Sequence, residues 1–402
     1  MAPAKSVSRA RNTAPVFRHN LYRRAAILNS FPDYQELRDL GPVVWLPKHD
    51  AYAVGRYEEV KSVLKADDTF ISSRGIAMNS FLNDKSVDAD TTLVTDGEQH
   101  HRLRRHLMTP LRPNALPDIK DRIEQAAQEQ VGRLVGTGTF EGMSGLAQHL
   151  PLTIVAEMVG LTSATTKQML AWSEGTFNLI GAFNWRAIRS IPAIFGMIRA
   201  QGQMGSENAR KGSWISRLYE LRDQGEISTD EATGMIIDYI APSLDTTILA
   251  TGHLLNRLAR NPDQWERLKE DASLIPSAVI EAVRIDSVIR GFSRYAAHDT
   301  EITGVPIPAG ARVLVLYAAA NRDERHFSDP DIFDVARNNR DHVGFGHGVH
   351  TCAGNNLARL EMESLLKALI EQVDEIKAGR PQVAMNNSLY GFSKLPLELV
   401  SA

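Results

Sequence analysis

The sequence predicts a mainly helical fold with a smaller β-rich lobe, on three observations. Helical apolar periodicity is sustained from Ile119 to Val135, from Ser228 to about Arg260, and from Asn355 to Val373. Two short segments, 43 to 54 and 302 to 315, instead alternate and turn like β-hairpins. The chain has 402 residues, 43 % of them hydrophobic, enough to bury a large core beneath both kinds of element.

Composition narrows the function classes. A net charge of −3 gives no global basic field for nucleic acid. One cysteine excludes an internal disulfide framework and fits a reducing compartment. The first residues, Met-Ala-Pro-Ala-Lys-Ser-Val-Ser-Arg, are polar and basic without an apolar core, so neither signal peptide nor membrane anchor is expected. The expectation is a soluble, cytoplasmic, monomeric protein.

In chain order, residues 1 to 30 read as a flexible arm, with clustered charge and little periodicity. A short helix from Tyr34 to Leu40 precedes two strands around Pro47-Lys48-His49-Asp50, and Arg56 to Lys65 is helical. Residues 70 to 82 have no clean period. Helices follow over 119–135, 146–159 and 165–175, the last running into the aromatic group Trp172, Phe177, Phe183 and Trp185. Ser228-Thr229-Asp230-Glu231 has capping-box form and starts a run of roughly thirty residues, on the order of 45 Å of helix. Pro242 stands in its middle and should kink it, because proline removes the N–H that the Asp238 carbonyl needs. Pro276 opens a further helix that contains Glu281 and Arg284.

The stretch Phe345-Gly346-His347-Gly348-Val349-His350-Thr351-Cys352-Ala353-Gly354 holds the only cysteine and runs into the last helix, whose apolar face includes Met362, Leu366, Leu369 and Val373. Cys352 therefore sits at a helix N-terminus, where unpaired N–H groups and the macrodipole favour a thiolate, a soft ligand for iron. Gly348 and Gly354 would let the backbone pass close to a flat, bulky cofactor.

This stretch resembles the haem-binding loop of the cytochrome P-450 family, Phe-x-x-Gly-x-Arg/His-x-Cys-x-Gly, at Phe345, Gly348, His350, Cys352 and Gly354. The resemblance spans nearly the whole chain from about Tyr34. It implies one catalytic unit over residues 31–402, a triangular helical prism around a buried haem b (iron protoporphyrin IX), with Cys352 as the metal ligand. Asp96-x-x-x-His100-x-x-x-Arg104 is similar to a family motif at a helix start, and His100 and Arg104 share one face able to reach the haem propionates. Arg294 matches the family's second propionate-binding arginine. Glu281-x-x-Arg284 matches a bracing pair to which Arg337 adds a third member. Arg102, Arg105 and Arg112 would present a local basic patch on the side where an acidic ferredoxin docks.

Asp245-Thr246 matches the family's acid–alcohol pair, which holds water and relays protons during dioxygen cleavage. Pro242 and Ser243 depart from the usual Ala/Gly-Gly before it, and Val288 from the usual proline after Ser287. A back-bond from Thr246 to the Pro242 carbonyl is the structural alternative for that hydroxyl. Substrate contacts implied by the family's geometry are Arg74, Ser80, Phe177, Phe183, Ile289, Phe292 and Phe392, the last as a β-turn tip. The Ser72-Ser73-Arg74-Gly75 run is similar to one in bacterial members that oxidise para-substituted benzoates. Those members carry Arg-Ser two turns before the acid, whereas Ile237 and Asp238 stand there here, so carboxylate anchoring does not carry over.

The implied function is a haem-thiolate monooxygenase acting on a small hydrophobic or aromatic substrate, by hydroxylation or O-demethylation. Electrons would come from a separate ferredoxin and its NAD(P)H-dependent reductase. A terpenoid guest is also open, and the alternatives are a peroxide-using peroxygenase or a non-enzymatic haem sensor.

Overall fold

Local signals place the helices and apolar faces pack them. The structure, a computed structural model, describes residues 13–86, 90–162, 164–202, 209–338 and 340–402. It is 54 % helical with a smaller sheet-rich region, which is the predicted class. Thr165 and Ser228 each cap a helix through a reciprocal capping box, with Gln168 and Glu231 respectively, satisfying N–H groups that have no intrahelical acceptor. The helices Pro117–Leu134 and Asn355–Gln372 lie against each other and bury Ile123, Val131, Leu366 and Leu369 in the main core. No helix among the described residues is long and apolar enough to cross a membrane.

The larger sheet has the order Val44–Leu46, Ala51–Val54, Arg312–Val315, Phe292–Ala296, Phe70–Ile71. Val44–Leu46 and Ala51–Val54 form the expected antiparallel pair. The segment 302 to 315, expected as one hairpin, is divided. Thr300–Ile302 turns back onto Val305–Ile307, while Arg312–Val315 joins the large sheet parallel to Ala51–Val54. Val313, Leu314 and Val315 are all buried, so both faces of that strand need cover that a two-stranded ribbon cannot give.

Three further expectations are corrected. The arm is structured over its described part: Val16 bridges to Trp45, Arg24–Leu28 is helical, and Phe17 and Ile27 are fully buried. Apolar anchoring there outweighs the clustered charge; residues 1–12 lie outside the described residues. Between Met143 and Val155 the chain is wound in two wide π-helical turns, Met143–Ala147 and Pro151–Val155, before Ala156–Val159. The long central helix is two helices, Thr229–Ile240 and Asp245–Arg260, because the missing Pro242 N–H interrupts the ladder and the break extends over residues 241–244.

Candidate active site

The cysteine loop is held by its own backbone. Cys352 N–H donates to the Phe345 carbonyl at 2.8 Å, Gly346 N–H to Val343 at 2.9 Å, and Thr351 N–H to Gly348 at 3.1 Å. Asn355, at the start of the following helix, donates its side-chain amide to the Cys352 carbonyl at 2.7 Å. Gly348 has φ +74°, and a Cβ there would sit 2.4 Å from the Leu64 carbonyl oxygen. That corrects one expectation: the freedom of Gly348 is used to fit the loop against the end of the Tyr57–Lys65 helix. A Cβ on Gly354 meets nothing within 4 Å, so this is the glycine that leaves open space beside the cysteine.

Cys352 is exposed, yet protein surrounds it closely enough to desolvate it, so its accessible surface lies in a recess. Burial pushes its thiol up, while the Gly354 N–H, the Arg104 guanidinium and the Asn355 N–H favour the thiolate. The expected helix-terminus donors are present but desolvation outweighs them, and a bound metal cation would supply the remaining stabilisation.

Basic side chains converge beside this recess. Arg104 donates to the Thr351 carbonyl and interacts electrostatically with both Cys352 and Asp238. Arg294 is 4 % exposed, donates to the Ser293 carbonyl at 3.0 Å, and has no ion pair among the described residues. His350 Nε2 is buried without a hydrogen-bond partner, 3.7 Å from Asp96 and too far to bond it. Burial pushes the His350 imidazole down to about 4. The Asp96 carboxylate is instead taken by the Ser72 and Ser73 N–H groups, at 2.9 and 2.8 Å. His100, expected to reach a propionate, lies between the Thr92 and Val349 carbonyls at 2.9 and 3.2 Å. Its position braces the chain around Thr92 against the cysteine loop.

On the distal helices, Asp245 is the first residue of Asp245–Arg260, and burial pushes its carboxyl up to about 7 against the pull of the Ser173 hydroxyl. Thr246 donates its hydroxyl to the Pro242 carbonyl at 2.8 Å, the back-bond considered above, and that hydroxyl remains accessible. A hydroxyl that donates its proton still has lone pairs free to accept from water. Asp238 is pushed up to about 7 by burial; one carboxyl oxygen accepts from the Thr92 N–H at 2.7 Å and the Thr92 hydroxyl at 2.8 Å. Thr92 and Ser173 were missed by sequence reasoning, and nothing local marks either one.

Glu281, Arg284 and Arg337 meet as expected. Arg284 Nε and Nη2 donate to the two Glu281 oxygens at 2.7 and 2.8 Å, and Arg337 Nε donates to one of them at 3.1 Å. The candidate substrate contacts are not brought together. Phe177 is packed in the main core, while Arg74, Ser80 and Phe183 are exposed. Phe392 is corrected from a turn tip to the first residue of a strand, 6 % exposed with its ring 4.7 Å from His253. Ile289 and Phe292 are partly buried where the main core meets the sheet core.

Does this donor set suit a haem? An accessible thiol beside the open space at Gly354 suits a soft metal ion carried in a flat group with its own ligands, as in a porphyrin. Arg294, buried with no ion pair among the described residues, and His350 Nε2 suit the anionic edge of such a group. The fold and this recess define a haem-thiolate protein.

Comparison with known proteins agrees. The family model described as Cytochrome P450 matches residues 196–398. Cytochrome P450 CYP199A2 of Rhodopseudomonas palustris is 34 % identical over 378 residues, covering 92 % of this chain and 91 % of its own. Mycinamicin IV hydroxylase/epoxidase of Micromonospora griseorubida is 30 % identical, covering 91 % and 94 %. The solved cytochrome P450 CYP109Q5 from Chondromyces apiculatus superposes with a TM-score of 0.79 at 27 % identity, over 96 % of this chain and 99 % of that one. This chain belongs to the cytochrome P450 family, and it is an oxygen-incorporating oxidoreductase that binds haem b through a cysteine thiolate. Cys352 is the one cysteine of the sequence.

Proposed function

We propose that the protein oxygenates a small, largely apolar aromatic substrate, by hydroxylation or O-demethylation, with electrons delivered by a separate ferredoxin and its NAD(P)H-dependent reductase. When bound, the haem supplies reductive activation of dioxygen and transfer of one oxygen atom. The chain's own contribution is to position the guest, exclude water and move protons. The observation that carries the reading is the Asp245–Thr246 pair. A carboxyl near 7 can both give and take a proton at neutral pH, and it is next to a hydroxyl that remains accessible. Asp245 would pass protons inward, and Thr246 would fix water with its free lone pairs. Ile289 and Phe292 offer apolar surface suited to an aromatic guest.

Exposed Arg105 and Arg112 support docking of an acidic ferredoxin. Arg102 does not contribute to that patch, because it donates to Glu231 and to the Glu226 carbonyl. A reduced sample under carbon monoxide should give the strongly red-shifted Soret band of thiolate ligation, and Cys352→Ala should abolish it. Turnover with ferredoxin, reductase and NADH should exceed turnover with hydrogen peroxide alone; the reverse ranking would establish the peroxygenase instead.

A further inference from the structure

We propose that the exposed face of the helix Trp185–Gly202 is the contact surface for a second copy of this chain, in an antiparallel helix pair centred on Pro192 that sets Trp185 against the partner's Arg199 and Ile188 against the partner's Phe195. The inference does not depend on which substrate is oxygenated.

The polarity of this helix is inverted. Its inward side, packed on the helix Thr166–Ile180, buries Ala187, Ser190, Met197 and Gln201. Its outward side carries Trp185, Ile188, Phe195 and Ile198, which are 68, 40, 67 and 53 % exposed, so four of the nine large hydrophobics exposed among the described residues fall on this one face. The inward polar groups hold that orientation, since Ser190 donates to the Arg186 carbonyl at 3.0 Å and Gln201 donates to the Thr233 carbonyl. The four outward residues leave on the order of 500 Å² in water, the upper end of what a monomer shows. A second copy doubles this to about 1,000 Å², the size at which specific interfaces begin.

Spacing identifies what fits this face. Trp185, Ile188, Pro192, Phe195 and Arg199 recur at intervals of three, four, three and four, the seam of two packed helices, and Pro192 and Arg199 are exposed with the rest. The seam is self-complementary about Pro192. In an antiparallel pair Trp185 meets the partner's Arg199, a cation over the face of a ring, and Ile188 meets the partner's Phe195. Two-fold symmetry makes each contact twice. No carboxylate stands between residues 185 and 202, so the Trp185 ring is the group on this helix suited to receive the Arg199 charge. Arg189 lies beside the seam and is exposed, at a rim where its charge stays hydrated. A helix that binds a lipid surface keeps its cations on the polar face, whereas Arg199 falls in the apolar seam, which favours a second helix.

Sedimentation of the haem-loaded protein from about 5 to about 500 µM should show a reversible monomer–dimer equilibrium. Trp185→Arg sets cation against cation and should weaken association at least tenfold, as should Phe195→Ser. Trp185→Arg combined with Arg199→Trp exchanges the members of the pair and should restore the dimer. These side chains are exposed, so the reduced carbon monoxide spectrum of every variant should match wild type, which separates lost association from lost folding. Wild type that stays monomeric over the whole range overturns the proposal. So does a dimer indifferent to Trp185→Arg, or a double variant that fails to recover. Flotation of monomeric wild type with phosphatidylglycerol vesicles, but not with phosphatidylcholine vesicles, would also overturn it and assign the face to an anionic lipid surface.

Discussion

Glu281 and Arg284, three residues apart on one helix, form a two-pronged ion pair of 2.7 and 2.8 Å in which neither side chain is exposed. At a surface that spacing contributes a few tenths of a kcal/mol. Buried, the pair specifies geometry, since Arg284 also donates to the Asn321 and Pro330 carbonyls and Arg337 joins from the segment before the cysteine loop. Glu281→Ala should cost about 3–5 kcal/mol, because it strands a buried guanidinium without its counter-charge. Arg337→Ala should cost less, since its side chain is 17 % exposed and Glu281 keeps Arg284. Urea unfolding of the holoprotein measures both, and a loss under about 1 kcal/mol for Glu281→Ala would contradict this account.

Proton delivery should titrate. With the Asp245 carboxyl near 7, its proton-donating form is lost as pH rises through that value. Product formed per NADH should fall across the same range in wild type and be low and flat in Asp245→Asn. Thr246→Ala should keep the Soret spectrum while releasing more peroxide per NADH. Unchanged coupling in both variants would remove the pair from the mechanism.

The break between the two distal helices should be caused by proline. Pro242→Ala returns an N–H that can reach the Asp238 carbonyl, so amide exchange over residues 241–246 should slow by about tenfold or more. If exchange stays as fast, the packing around 241–244 imposes the break.

Glu361 is 2 % exposed, one of its oxygens has no partner, and burial pushes its carboxyl up to about 8. An unfolded chain releases this proton near the ordinary carboxyl value, while the folded protein keeps it until about 8. Its contribution is therefore intact at acid pH and is lost as pH rises toward 8, at roughly 1.4 kcal/mol per unit. Glu361→Gln should melt higher than wild type at about pH 8 and no higher at about pH 5. A constant difference across that range would show that Glu361 does not titrate as described.

What could be read in advance follows from range along the chain. The cysteine loop was legible because its turns close within ten residues or so, as the Cys352–Phe345 and Thr351–Gly348 bonds do, whereas the role of Gly348 was not, because it is set by Leu64 from a distant helix. The capping box at Ser228 was legible for the same reason. The 302–315 hairpin misled because the local turn is real, yet the last strand's partners are Ala51–Val54 and Phe292–Ala296, distant in sequence. Phe392 misled because aromatic character does not say whether a ring faces a cavity or His253.

The sequence by itself determined the class of fold, the single thiol at a helix start, and the candidates for proton transfer and haem binding, because periodicity, caps and motif spacing are properties of neighbouring residues. Only the tertiary structure decided that Arg294 is buried with no ion pair among the described residues, that Glu281 has two arginines, and that both Thr92 donors go to one oxygen of Asp238. Those outcomes depend on desolvation and on partners brought from distant segments, which no local stretch of sequence encodes.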